Sequence, residues 1–332
     1  MKKSSITFDE VFNFSNLVKA YKKCLNGVRW KGSVQRFSQF SITELSLLLE
    51  ELSEERFDSG HFHAFDIMER GKPRHITSVG IRERVVQRCI CDNLLVPVLS
   101  SKFIYDNSAC VKGKGVHFAL KRLKSFLHYC SQDYYILQFD FSKYFDTISH
   151  ARLIEKLNKI ITDAKLMRLL TQLINDFDGD FGLGLGSQIS QICALYYPSK
   201  IDHFFSSQKK IKFYARYMDD GYMISDDKSY LQWCRNKLIE LAANLGLRIN
   251  ERKTIITRLN NKFVFLKARI YLTESNKVII KPNKKNLARN RRKLRILKDW
   301  LEEVNFKQVK TSVLGNLLFF DAFYARKNVE VA

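Results

Sequence analysis

Three aspartates carry the chemistry that this sequence could perform. Asp140 closes the apolar run Tyr134–Asp140 within Phe139-Asp140-Phe141-Ser142-Lys143-Tyr144-Phe145-Asp146, and the pair Asp219-Asp220 separates two further apolar runs, Ile211–Tyr217 and Gly221–Ser225. Carboxylates gathered at strand ends repel one another, which is costly unless a cation lies between them. A divalent metal is the natural partner: of two ions, one activates an attacking oxygen and the other stabilises a leaving phosphate. Magnesium suits such a set because it takes carboxylate and phosphate oxygens, with manganese as the alternative. Chemistry of this kind works by positioning and charge stabilisation and needs no covalent residue; no Ser-His-Asp or Cys-His arrangement stands out in the sequence. Asp-Asp at a hairpin tip is also ordinary turn chemistry, so the surrounding elements decide.

Those elements form a pattern. Tyr134–Asp140 is β-branched and aromatic and predicts a buried strand. A helix is expected over Ser149–Ile161 and a long one over Ser187–Phe205. The runs flanking Met218-Asp219-Asp220 predict a hairpin with the acidic residues at its tip. Tyr230–Leu245 reads as a helix ended by Gly246, and a further strand is expected near Phe263–Tyr271. This order is the split βαβ arrangement of a ferredoxin-like sheet with helices on one face, an α+β fold. Upstream, Val11–Leu25, Ser41–Leu52 and Ile81–Leu99 carry apolar residues at helical spacing, with a short extended stretch over Pro73–Ser78. Downstream, Lys281, Lys284, Lys285, Arg289, Arg291, Arg292, Lys293, Arg295 and Lys298 crowd around Leu287, Leu294, Leu297 and Trp300 in a basic amphipathic helix. A solvated face is one reading of it. Repulsion among so many like charges favours backbone phosphate contact instead.

The 56 lysines and arginines against 34 acidic residues give a net charge of +22, which excludes a neutral or acidic housekeeping domain. With 45% hydrophobic and 13% aromatic residues the chain has enough apolar surface to fold. Nucleic acid is the leading partner for that charge, and an anionic membrane surface the bland alternative. No apolar run approaches the roughly 20 residues of a membrane span, and the N-terminal segment lacks the apolar core of a signal peptide, so no membrane and a cytoplasmic location are expected. Seven scattered cysteines suit reduced core thiols. Cys89-Ile90-Cys91 and His61-Phe62-His63 have no partner pair at zinc spacing.

Taken in chain order, Phe139-Asp140, Tyr144-Phe145-Asp146 and Tyr217-Met218-Asp219-Asp220 resemble a reverse transcriptase. The resemblance covers nearly the whole chain. Lys72-Pro73-Arg74-His75-Ile76 with Ile81-Arg82-Glu83-Arg84-Val85-Val86-Gln87 looks like the fingers segment of bacterial members, and Ser108 to Gly115 like the next fingers motif. Leu245 to Thr254 is similar to the later palm motif, Phe263 to Arg269 to the hairpin that grips the primer end, and the basic helix falls where a thumb would track a duplex. Most members carry Pro-Gln-Gly where this chain has Gly184-Leu185-Gly186, and Ser-Pro where it has Ser190-Gln191. In that departure the sequence is most similar to the reverse transcriptases of diversity-generating retroelements, within the retron and group II intron-like superfamily.

The resemblance implies a right-hand polymerase with a helical N-terminal and fingers region (1–132), a ferredoxin-like palm (133–272, part of 170–200 lying at the fingers junction) and a helical thumb (273–332). It implies metal held by Asp140, Phe141, Asp219 and Asp220. Lys253 would protonate the leaving pyrophosphate; a plain surface lysine is the alternative. Lys72, Arg74, Lys112, Tyr144, Phe145, Gly186, Ser187 and Gln191 would meet the deoxynucleoside triphosphate, Phe145 as a steric gate against a 2′-hydroxyl. Lys114, Tyr217, Met218, Phe265, Leu266, Lys284, Lys285, Arg289, Arg291, Arg292, Lys293 and Arg295 would meet nucleic acid. Implied partners are a template RNA, an RNA or DNA primer, a structured noncoding or template RNA and a small basic accessory protein. The sequence shows no Cys/His cluster of a homing endonuclease and no second acidic constellation, so a partner is expected to supply template and priming. Three other readings stay open: a retron-type or phage-defence enzyme with a dedicated noncoding RNA, a catalytically silent nucleic-acid-binding protein, and a two-metal nuclease.

Overall fold

The computed structural model describes residues 3–69, 71–177 and 179–318. The N-terminal region holds α1 (Phe8–Val11), α2 (Phe14–Cys24), α3 (Gly32–Gln39) and α4 (Ser41–Ser53). The helix expected over Val11–Leu25 is two helices, because the Asn13 side chain accepts a hydrogen bond from the Asn16 amide at 2.9 Å and caps α2. Next comes an antiparallel ribbon of β1 (Phe62–Glu69) and β2 (Lys72–Val79), of which the sequence predicted only the second strand. The run expected over Ile81–Leu99 forms α5 (Ile81–Ile90), a π-helical turn over Cys91–Leu95, and α6 (Val96–Ser100). Pro97, which has no N–H for the helical ladder, lies just after that π-helical turn. Then follows α7 (Val116–Leu127), which the sequence did not predict.

The central sheet is built from β3 (Tyr135–Ser142), β4 (Phe213–Tyr217), β5 (Asp220–Ser225), β6 (Arg248–Ile249) and β7 (Ile255–Arg258). Its order is β4-β5-β3-β6, with β7 also paired to β3 and every pairing antiparallel. This is the ferredoxin-like order, in which β5 lies between β3 and β4. Between β3 and β4 run α8 (His150–Asn158), α9 (Ala164–Asn175), α10 (Gln188–Tyr196) and α11 (Ser199–Ser206); α12 (Lys228–Asn244) follows β5. The long helix expected over Ser187–Phe205 breaks at Pro198, which has no N–H for the helical ladder.

The strand expected near Phe263–Tyr271 is instead a hairpin outside the central sheet. β8 (Phe263–Phe265), β9 (Ala268–Leu272) and β10 (Val278–Pro282) form their own sheet in the order β10-β9-β8, turned at Leu266 and Lys267 with φ of +45° and +68°. The last palm strand is supplied by β6 and β7. Beyond Pro282, Asn283 caps α13 (Lys284–Trp300), the predicted basic helix, and α14 (Glu303–Leu318) follows.

Alternation along the strands divides the core in two. Leu137, Phe139, Phe141, Tyr214 and Met223 face the N-terminal helices and α8 to α12. Ile136, Ala215, Tyr222 and Ile224 face α7 and the sheet of β8 to β10. The second face is therefore also covered, which corrects the expectation of helices on one face only. Among the described residues no helix is long and apolar enough to cross a membrane.

The sheet is tightest where β5 begins. A Cβ added at Gly221 would lie 2.2 Å from Cζ of Phe139, its cross-strand partner. Gly221→Ala is expected to cost about 1–3 kcal/mol through overpacking. Urea denaturation should show a lower midpoint at unchanged slope.

Candidate active site

Pairing places Asp140 of β3 directly opposite Asp220 of β5. Asp219 lies in the two-residue turn before Asp220, and its carbonyl accepts from the Phe141 amide at 3.2 Å. The Asp140 and Asp220 carboxyls are close enough to share a hydrogen, and Asp140 is only 4% exposed. Burial first, then the Asp219 charge and the contact with Asp140, push the Asp220 carboxyl up to about 7. Burial likewise raises Asp219, and Arg74 of β2 is near enough to oppose that shift. Acids held this close require a proton or a cation.

One cation is already present. Lys253 Nζ donates to Asp140 Oδ2 at 2.5 Å, and Asn250 Nδ2 donates to Asp140 Oδ1 at 3.1 Å. Burial pulls the Lys253 ammonium down, but its bond to Asp140 and the neighbouring carboxylates outweigh this and hold it above the usual lysine value. The carboxylate oxygens suit a hard divalent ion. Among the described residues, however, no three acidic, His or Cys side chains form a closed metal cage. Magnesium needs only one or two carboxylates when substrate phosphates complete its shell, so the donor set fits.

What aims the carboxylates is a residue that sequence reasoning missed. Arg216 of β4 is 1% exposed. Its Nε and Nη2 donate to Asp202 of α11 at 2.7 Å, Nη2 also donates to the Leu195 carbonyl, and Nη1 donates to the Met218 carbonyl at 2.7 Å. Tyr214 Oη donates to the same Asp202 at 2.8 Å. Met218 has φ +57°, a left-handed conformation that is unfavourable for a residue with a Cβ. The guanidinium holds that turn from beneath. An arginine inside the apolar run Phe213–Tyr217 was the available signal.

The other predicted residues fall into separate groups. Phe145 and Gly186 flank one loop: the Leu183 amide donates to the Phe145 carbonyl at 3.0 Å, and Gly186, with φ +116°, lies against the Thr77 carbonyl of β2. Lys112 and Gln191 instead line an open cavity of about 780 Å³ with Lys23, Arg88 and Gln188. Lys72 begins β2, and its side chain lies outside the described residues. Lys114 is engaged by Tyr105, bonding its carbonyl and lying 4.4 Å from its ring centre. Tyr217 and Met218 are half-buried at the hairpin, and Leu266 forms the β8–β9 turn. On α13, Leu287 and Leu294 are buried, while Lys284, Lys285, Arg289, Arg292, Lys293 and Arg295 are exposed and Arg291 is half-buried.

Three assignments are corrected. Tyr144 is buried and donates its hydroxyl to the Ala194 carbonyl, leaving no surface for a nucleotide. Ser187 is 2% exposed, and its hydroxyl is used within the core. Phe265 is buried edge-on against Tyr222, 5.1 Å between ring centres, and so cannot touch nucleic acid. The Phe141 side chain is buried too, so only its backbone could reach a metal.

The palm sheet and its acidic strand ends define a right-hand nucleotidyltransferase. A family model described as reverse transcriptase (RNA-dependent DNA polymerase) matches residues 65–306, and the chain belongs to that family. It is an RNA-directed DNA polymerase, of a family that binds template and primer and uses divalent metal ions. It is also similar to Protein YkfC of Escherichia coli (strain K12), 25% identical over 279 residues, covering 68% of this chain and 71% of that protein.

Replacing Arg216 tests the brace. Arg216→Met leaves Asp202 buried without its cation and is expected to cost about 3–5 kcal/mol. Chemical denaturation measures the loss, and near-wild-type stability would show that the pair is dispensable.

Proposed function

We propose that this chain copies RNA into DNA with Asp140, Asp219 and Asp220 holding two magnesium ions. The observation that carries this reading is the pairing of Asp140 with Asp220 beside a turn braced from within the core. When bound, the metal supplies activation of the attacking 3′-oxygen and stabilisation of the leaving pyrophosphate. The chain does the rest. Arg74, on β2 and near enough for its charge to act on Asp219, suits a triphosphate. Phe145, fixed through its carbonyl by the Gly182–Ser187 loop, suits a gate beneath the sugar. Lys253, already on Asp140, suits a proton donor to pyrophosphate.

Residues 1–132 are the proposed N-terminal and fingers region, 133–272 the palm and 273–332 the thumb, of which 319–332 lie outside the described residues. Exposed cations along α13 above a narrow apolar seam support duplex tracking by that helix. Gly184-Leu185-Gly186 and Ser190-Gln191, in place of the commoner prolines, favour a diversity-generating retroelement, with a structured template RNA and a small basic accessory protein as partners. Retron-type or phage-defence action with a dedicated noncoding RNA is the second reading, favoured by the cationic cavity shared by Lys112 and the N-terminal helix residue Lys23.

Primer extension on an RNA template with magnesium and deoxynucleotides tests the site. Asp219→Ala with Asp220→Ala is expected to lower the rate at least about a thousandfold, given the share of catalysis that charge stabilisation supplies, with RNA affinity retained. Sequencing the product tests the subclass: substitutions concentrated at template adenines support the retroelement, and accurate copies the alternative. Neutralising Arg291, Arg292 and Lys293 should flatten the salt dependence of RNA binding by about 0.7–0.9 in log-log slope per lost contact. An unchanged slope would remove α13 from the interface.

A further inference from the structure

A buried chain of polar side chains connects α5 to the start of α10. Ser187 caps α10, its oxygen accepting from the Ser190 amide at 3.4 Å, and its hydroxyl donates to Gln87 Oε1 at 3.0 Å. Gln87 Nε2 donates to Glu83 Oε1 at 2.9 Å, and the other Glu83 oxygen accepts from the Gly60 amide at 3.3 Å. Glu83, Gln87 and Ser187 are 6%, 3% and 2% exposed. Every donor points the same way, towards the carboxylate, so each bond polarises the next. Burying this many polar groups is costly unless all are paired, which makes the chain sensitive to the loss of any member.

Its position gives it a consequence. The loop that Ser187 ends is also fastened by the Leu183 amide on the Phe145 carbonyl at 3.0 Å, by the Thr77 amide on the Leu185 carbonyl at 3.1 Å, and at Gly182, whose amide donates to the Ile148 carbonyl at 2.9 Å and whose carbonyl meets His150 Nε2. The loop thus links the proposed gate, the fingers ribbon and α10, and Gln87 is its only side-chain attachment to α5 among the described hydrogen bonds. We propose that Gln87 is a positioning residue for the incoming nucleotide: through Ser187 it sets the Gly182–Ser187 loop against Phe145, with Glu83 orienting its amide. This rests on the polymerase reading. It assigns Gln87 no contact with substrate.

Single-nucleotide primer extension by the full chain tests this. Gln87→Met keeps the length and removes both bonds; it is expected to raise KM for the deoxynucleotide about tenfold, the scale of a lost buried hydrogen bond, with kcat within about threefold. Ser187→Ala, a smaller change, should raise KM in the same way, and adding it to Gln87→Met should add little. The exchange Glu83→Gln with Gln87→Glu keeps an acceptor for Ser187 and a donor to it from position 83, and should restore KM to within about threefold of the original. Unchanged KM in both single variants, additive effects, or no rescue by the exchange would overturn the role. A fall in kcat alone would assign Gln87 to general stability and overturn it as well. If the unaltered chain extends no primer, the polymerase reading fails first and the inference with it.

Discussion

The ion pair between Arg216 and Asp202 is the constraint on which the catalytic geometry rests. Both side chains are essentially out of water, at 0% and 1% side-chain exposure. Desolvating two charges costs several kcal/mol per ion, so such a pair persists only with near-complete hydrogen bonding. Here the guanidinium is shared among Asp202, Leu195 and Met218, and Asp202 takes a further bond from Tyr214. Four elements are thereby locked to one planar group. The turn that carries Asp219 and leads into Asp220 is held through its backbone, so the brace itself uses neither carboxylate. A tip held by its backbone, with its acids facing one another, is what a cation-binding strand end requires.

Charge is distributed to match. In a chain of net charge +22, acidic groups at the end of β3 and the start of β5 form a small island. Lys253 and Asn250 take up both oxygens of Asp140, while Asp220 is pushed up to about 7 by burial first and then by the Asp219 charge and the contact with Asp140. The deficit of positive charge is therefore local, at Asp219 and Asp220, and lies where Arg74 approaches. Elsewhere the cations are spread outward over α13 and the cavity near Lys112, facing solvent. An anionic polymer is attracted by the outer charge, while the inner deficit selects small cations.

How much of this was legible follows from the kind of signal each part leaves. The catalytic strand, the hairpin and α12 were readable because period-2 and period-3.6 patterns are local. β1 was missed because Phe65, Ile67 and Met68 lie on an exposed ribbon with no buried face to impose alternation. α7 and α9 escaped for want of a motif to direct attention to them, although α9 is strongly amphipathic. β8 and β9 read as one strand because the turn at Leu266 and Lys267 contains neither Gly nor Pro, the usual markers of a left-handed turn. At the site, the three aspartates were legible from type and order. Arg216, Asp202, Glu83 and Gln87 were not assigned roles, because the pairs that give them one join separate elements, Arg216 to Asp202 across 14 residues and Gln87 to Ser187 across 100, and only tertiary packing brings them together. Ser187, Tyr144 and Phe265 were over-read for the converse reason: adjacency to a motif in sequence does not give a side chain a route to the surface.

The departure at Gly184 has a packing explanation that the sequence could not supply. A Cβ there would lie 2.3 Å from Cε1 of Phe177 and 3.1 Å from Thr77. Alanine already clashes, so the proline that most members carry at this place would be excluded more strongly. The space is taken by the Phe177 ring, which stacks on Phe62 of β1 with ring centres 5.1 Å apart. An aromatic stack therefore joins the segment just after α9 to the β1–β2 ribbon and fills the space beside Gly184. The ribbon is then seated directly on the loop by the Thr77 amide. Loop conformation and ribbon position consequently cannot vary independently, and the local geometry around the proposed nucleotide site is set by contacts made from the fingers side.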